Sequence, residues 1–215
     1  MKEILIIAGP SAVGKTTVAS ELIKAGGDFE LVRSVTTRKM RSDAFGAEYV
    51  YLTRSDFDGL IKSGGVLEYT EYSGELYGTP RSEIERIHRE GKYPLLILDL
   101  LGVRSVMEKG GNCPCAVYLY DGLSVMEKRL AERYLVPGFD SSALDKFNSR
   151  IAQNRADYAK IANYSSHFYA FISNRSEICD TARLVYESFL KFKSGISCDS
   201  RQIERALSDI EKMLL

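Results

Sequence analysis

The sequence predicts an α/β fold, a parallel sheet flanked by helices, on three observations. Short apolar, β-branched runs alternate with helix-patterned segments along most of the chain. Two runs, Tyr93–Leu101 and Ala116–Tyr120, are apolar at nearly every position rather than at every second one, as in strands buried on both faces of a parallel sheet. A stretch from about 36 to 80, rich in aromatics and punctuated by glycine, breaks the alternation as an insertion would.

In chain order, Ile4–Ala8 reads as the first strand, ended by Gly9-Pro10-Ser11, with a helix starting near Lys15. Phe29–Val35 reads as one further strand. Glu48–Leu52, Val66–Tyr72 and Leu76–Tyr77 are short strands of a small mixed sheet, and Ser55–Ser63, with Phe57, Leu60 and Ile61, is a helix among them. Ser82–Glu90 is a helix with Ile84 and Ile87 on one face. After the two buried runs come charged helices at Leu123–Tyr134 and Ser142–Ala162, flanking the Pro137-Gly138 turn. His167–Ile172 is the last strand, covered by a helix at Ser176–Phe192. Beyond a polar linker at Gly195–Ser200, the apolar residues Ile203, Leu207, Ile210, Met213 and Leu214 recur at helical spacing, which predicts an amphipathic helix docked on the core or on another subunit.

Composition narrows the function classes. The 29 basic and 29 acidic side chains balance, which argues against a strongly basic nucleic-acid binder. No apolar stretch approaches the length of a membrane span, and Ile4–Ala8 is too short for a signal peptide, so a cytoplasmic protein without nucleic-acid or membrane partners is expected. Cys113, Cys115, Cys179 and Cys198 form no metal-ligand spacing and read as reduced, mostly buried thiols.

Gly9-Pro10-Ser11-Ala12-Val13-Gly14-Lys15-Thr16 matches the phosphate-loop pattern in full, between an apolar strand and a helix. Such a loop turns successive N–H groups toward phosphate oxygens, and the following helix N-terminus favours negative charge. Gly9, Ser11, Ala12, Val13, Gly14, Lys15, Thr16 and Thr17 are therefore candidate ATP-binding residues, with Lys15 reaching the terminal phosphates and Thr16 holding Mg2+. Alanine at position 12, where glycine is frequent, is expected to be tolerable only at negative φ.

Further motifs carry a resemblance. Arg33-Ser34-Val35-Thr36-Thr37-Arg38-Lys39-Met40-Arg41, Gly46-Ala47-Glu48-Tyr49-Val50-Tyr51, Leu67-Glu68-Tyr69 and Tyr77-Gly78-Thr79, together with the phosphate loop, resemble the guanylate kinases from Lys2 to about Leu190. The resemblance implies a P-loop NTPase core over 1–35, 81–123 and 159–192, a GMP-binding mixed-sheet insertion over 36–80, a helical lid over 124–158, and a C-terminal extension over 193–215. It implies ATP and GMP as substrates with Mg2+. Ser34, Arg38, Arg41, Tyr49 and Tyr77 would grip the GMP phosphate, and two guanidinium forks with tyrosine hydroxyls suit a dianion. Glu68 and Thr79 would read guanine, and Asp99 would lie near its amine. Lys15, Arg129, Arg133 and Arg150 would stabilise the transferring phosphoryl, and Asn174 would lie near adenine. Arg129 and Arg133 stand i, i+4 on one helical face.

This chain departs from the family pattern after the buried strand, where Ile97 and Leu101 replace the usual first aspartate and the glutamine. An alignment with a two-residue deletion would instead make Asp99 the first aspartate, beside the Mg2+ water. Two other functions fit less well: a kinase of another small phosphorylated acceptor, and a non-catalytic guanylate-kinase-like interaction module. The expected assembly is a monomer, or a homodimer joined through the C-terminal helix.

Overall fold

The computed structural model describes residues 3–26, 28–39, 49–72, 74–108 and 114–214. Strand β1 (Leu5–Ala8) is the centre of a five-stranded sheet, order β2-β7-β1-β8-β9, with β2 (Phe29–Leu31), β7 (Tyr93–Leu98), β8 (Cys115–Tyr120) and β9 (Ala170–Ser173). Every pairing in it is parallel. All four residues of β1 and all six of β8 are buried, which explains their unbroken apolar sequence.

The second sheet has the order β4-β3-β6-β5, from β3 (Ser34–Thr36), β4 (Tyr49–Tyr51), β5 (Val66–Tyr72) and β6 (Glu75–Pro80). It is mixed, with β3 and β4 parallel and the other pairs antiparallel. Its own small core is Val35, Phe57, Val66 and Leu76, and Phe57 comes from helix α2 (Arg54–Lys62). The single strand expected over Phe29–Val35 is two strands in two sheets. The chain leaves the core sheet at Val32-Arg33, so the second sheet begins at Ser34 and a boundary drawn between 35 and 36 cuts through β3.

Helix α1 (Lys15–Lys24) follows β1, and α3 (Arg81–Arg89) buries Ile84 and Ile87. The apolar run after Tyr93 is not strand to its end. Asp99 interrupts it, its carboxylate accepting from the Gly102 N–H at 2.7 Å, and Leu100–Glu108 is helix α4. Leu101 is therefore a solvent-facing helix residue. Helices α5 (Leu123–Tyr134) and α6 (Ser141–Lys160) pack together, and a 3-10 segment, Ile161–His167, ends at the residue where the last strand is expected to begin, so that β9 starts only at Ala170. Helix α7 (Ile178–Lys193) packs on α1.

Helix α8 (Ser200–Lys212) packs on its own chain, against β9, with Ala206 and Ile210 buried. β9 is an edge strand, whose outward backbone groups need partners. Gln202 supplies them: its Oε1 accepts from the Phe171 N–H at 3.3 Å and its Nε2 donates to the Phe171 carbonyl. A side-chain amide thus stands in for the missing strand. The cysteines are less buried than expected: Cys115 lies in the sheet, but Cys179 and Cys198 are exposed. Cys113 lies outside the described residues. Among those described, no helix is long and apolar enough to cross a membrane.

Candidate active site

The phosphate loop leaves the C-terminal end of β1, between β7 and β8. Its two glycines are steric requirements. A Cβ at Gly9 would stand 2.3 Å from the Leu119 carbonyl oxygen, and one at Gly14 2.5 Å from Asn174 Nδ2. Both also hold positive φ. Ala12 corrects the expectation of negative φ, because it sits at φ 61, in the left-handed region. That region is open to alanine at a cost of roughly 1–2 kcal/mol, so other contacts must hold it there.

Those contacts are side-chain donors on every carbonyl from Gly9 to Val13. Lys15 Nζ donates to Gly9 O at 2.8 Å and to Pro10 O at 2.9 Å. Asn154 Nδ2 donates to Ser11 O at 3.0 Å, Arg129 Nη1 to Ala12 O at 3.2 Å, and Asn174 Nδ2 to Val13 O at 2.7 Å. In a trans peptide the next residue's N–H points opposite to the carbonyl. Tying the carbonyls back therefore aims the Ala12 and Gly14 N–H groups to the other side, as an anion site requires.

Burial pushes Lys15 down to about 8, against the pull of Asp99 and Asp157 and with the further push of Arg150 and Arg133. Three proposed site residues, Arg133, Arg150 and Asp99, thus act on its ammonium electrostatically, and Asp157 of α6 joins them. Burial also raises the Asp157 carboxyl, to which Gln153 donates at 2.7 Å. Arg150 Nη1 lies 3.4 Å from Ser11 Oγ. Arg129 is paired at 3.2 Å with Asp121, a buried carboxylate at the end of β8. Thr16 and Thr17 are exposed on the first turn of α1. Asp99 is exposed as well as capping α4, and Ile97 pairs in register with Ile7 and carries no carboxylate toward the loop.

The second sheet presents the other group of residues. Thr36 Oγ1 donates to Leu76 O at 2.8 Å and accepts from the Arg38 N–H at 3.1 Å, fixing the backbone from which Arg38 projects. The Arg38 guanidinium lies 5.4 Å from the Tyr49 ring centroid, and the Tyr49 and Tyr77 rings meet edge to face at 6.1 Å. Arg38 Nε is buried with no hydrogen-bond partner among the described residues. Ser34 is paired in register with Tyr49. Glu68 and Thr79 are cross-strand neighbours on β5 and β6, both nearly fully buried, and Thr79 Oγ1 donates to Glu68 Oε1 at 2.7 Å. Arg41 lies outside the described residues.

Residues 1–183 match the protein family described as Guanylate kinase. The chain belongs to the guanylate kinase family. It is 32% identical over 216 residues to the guanylate kinase of Lactobacillus delbrueckii subsp. bulgaricus, covering 98% of this chain and 96% of that one. Against the guanylate kinase of Lactococcus lactis subsp. lactis it is 31% identical over 176 residues, or 81% and 82% of the two chains. The crystal structure of guanylate kinase from Anaplasma phagocytophilum superposes with a TM-score of 0.63 at 22% identity, over 88% of this chain and 85% of that one, which shows the shared fold. The reaction of the guanylate kinase family is transfer of the terminal phosphoryl of ATP to GMP, giving ADP and GDP, and the family generally uses Mg·ATP.

Sequence reasoning did not single out Asn154 or Asp121. An asparagine inside a helix and an aspartate after a strand match no motif. The one available signal was spacing: Asn154 stands i+4 from Arg150, on the same face of α6.

Proposed function

We propose that this chain is an ATP:GMP phosphotransferase in which the loop at Gly9–Thr17 binds the donor and the sheet β3–β6 binds the acceptor. The observation that carries the acceptor's identity is the buried Glu68–Thr79 pair. A carboxylate can accept from both the N1–H and the exocyclic amine of guanine, while adenine offers an acceptor at that edge. Arg38, whose buried Nε has no hydrogen-bond partner among the described residues, together with Ser34, Tyr49, Tyr77 and Arg41, would take the GMP phosphate. Asn174 would stand beside the adenine end of the donor.

Phosphoryl transfer needs in-line placement and positive charge over the equatorial oxygens rather than acid–base chemistry. Lys15, Arg133 and Arg150 bring that charge together, and Arg129 joins them from α5. The oxygen donors at hand, the exposed Thr16 hydroxyl and the exposed Asp99 carboxylate, suit a hard cation that keeps most of its water. Mg2+ bound there with the nucleotide would neutralise phosphate charge. The β3–β6 sheet and the lid at 124–158 would close over the substrates and exclude water.

A coupled ADP-release assay across GMP, dGMP, AMP, IMP, UMP and CMP tests the assignment. GMP should exceed AMP in kcat/KM by at least about a thousandfold, since unpaired buried acceptors reject a wrong base strongly. IMP, lacking the amine, should fall between them. Glu68→Gln should lower the GMP value and barely move AMP. Comparable rates for GMP and AMP in the unmutated chain would reject the base assignment.

A further inference from the structure

We propose that Asn154 is a positioning residue for ATP: its side-chain amide holds the Ser11–Ala12 peptide in the orientation that offers the Ala12 N–H to the donor's phosphates. This rests on the reading of the loop as the ATP site.

Asn154 is 2% exposed, in the middle of α6, 143 residues from the loop it touches. Both ends of its amide are used on one residue. Oδ1 accepts from the Ser11 N–H at 2.8 Å, and Nδ2 donates to Ser11 O at 3.0 Å. No other side chain contacts both backbone groups of a loop residue among the described hydrogen bonds. The bond to Ser11 O sets the plane of the Ser11–Ala12 peptide, and the Ala12 N–H is the opposite end of that plane. It also accounts for the left-handed Ala12. Rotating this peptide would let Ala12 relax to negative φ, but would turn the Ser11 carbonyl toward the phosphate side and its partner N–H away. Asn154 opposes that rotation from a helix that also carries Arg150 one turn earlier and Asp157 one turn later, both facing the loop. One amide therefore couples the loop's N–H orientation to the seating of the helix that brings a phosphoryl-stabilising arginine.

The test uses Asn154→Asp and Asn154→Ala in the full chain. At pH 8 an ionised aspartate can still accept from the Ser11 N–H but repels the Ser11 carbonyl, whereas a protonated carboxyl restores a donor of nearly the same shape. Relative to the unmutated chain, Asn154→Asp should lose at least about tenfold in both ATP affinity and kcat at pH 8 and regain most of it at pH 5. Taking the ratio at each pH cancels protonation of the nucleotide. Asn154→Ala should show a loss of about tenfold in the same two quantities that does not change with pH, with the KM for GMP within about twofold of the parent. A pH-independent deficit in the aspartate variant, or a folded alanine variant with parental ATP affinity and kcat, would overturn the proposal. ATP affinity is read by calorimetry without an acceptor. A parent that transfers nothing to GMP would then count against the proposed reaction, while the pH contrast in ATP binding would still judge Asn154.

Discussion

Around the phosphate loop, every carbonyl from Gly9 to Val13 already has a side-chain donor, whereas in the proposed acceptor cradle the Arg38 Nε is buried with no hydrogen-bond partner among the described residues. The contrast follows from what each half is built of. A backbone loop carries as many carbonyls as N–H groups, and carbonyls left facing an anion would repel it, so the loop must be oriented before the ligand arrives. The cradle on β3–β6 is made of side chains, whose forks and hydroxyls can turn to a ligand on contact. A buried donor left unpaired costs roughly 1–3 kcal/mol, and an arriving phosphate removes that cost. The loop's carbonyls are fixed before any ligand binds, while the proposed acceptor cradle keeps a buried guanidinium N–H for its ligand.

The largest effect should come from breaking the donor half at Lys15, which both ties Gly9 and Pro10 and carries the cation. Lys15→Ala should lower kcat at least about 100-fold, or roughly 3 kcal/mol of barrier. Its melting temperature should stay near that of the parent, because the side chain belongs to a ligand loop and not to the core. A folded variant with near-normal turnover in the coupled assay would remove Lys15 from the mechanism.

The acceptor half is broken at Arg38. Arg38→Ala should raise the KM for GMP by about tenfold or more, as a charge-assisted hydrogen bond is lost, and leave the KM for ATP within about twofold. Initial-rate measurements with each substrate varied in turn separate the two. Equal shifts in both would mean that the two halves do not bind their substrates independently.

How much of this was readable beforehand follows the same division. The phosphate loop was legible because its backbone requires glycine at two fixed places, and Gly9 and Gly14 would each clash with a neighbour if a Cβ were added. The proposed acceptor residues fall on motifs that the structure gathers in one sheet, on β3, β4, β5 and β6 or just after β3. Hidden were features that depend on where the chain turns. Leu31-Val32 is as β-prone as its neighbours, so nothing local marks the passage from one sheet to the other. Asp99 inside an apolar run does not announce that it ends a strand and caps a helix. Asn154 carries no pattern, since its partners are 143 residues away. Ala12 departs from its expected negative φ for a different reason: left-handed backbone is expensive for alanine, not closed to it.

The Lys15 cation also gives the donor half a pH dependence. Burial brings Lys15 from the ordinary value of 10.5 to about 8. Phosphates bind the cation, so above pH 8 ATP binding must take up a proton and weaken, toward tenfold per pH unit when one proton is coupled. Between about 8 and 10.5 the unfolded chain holds this proton and the folded apo chain does not, so the same group's contribution makes the apo protein more stable as pH rises. Calorimetry in buffers of different ionisation enthalpy should show proton uptake on ATP binding near pH 8.5. GMP binding at the same pH should show none attributable to Lys15. Absence of uptake with ATP would mean that the ammonium keeps its proton in the free loop.

The smallest effect is expected at Ala12, and it tests whether the donor loop is held under strain. Relief of the left-handed conformation in Ala12→Gly is worth roughly 1–2 kcal/mol. Against it stands the greater freedom of glycine in the unfolded chain, roughly 0.5–1 kcal/mol. The net should be a stabilisation of about 0 to 1.5 kcal/mol, a rise in melting temperature of at most about 6 °C for a chain of this size. Ala12→Val, β-branched at the same φ, should destabilise instead. The two substitutions therefore move in opposite directions if Ala12 is strained, and both lower the melting temperature if it is not. Glycine should also weaken the loop's hold on its own N–H groups, so ATP affinity should fall slightly while stability rises. A variant that gained in both would show that the donor loop does not depend on the backbone shape that Asn154, Arg129 and Asn174 maintain.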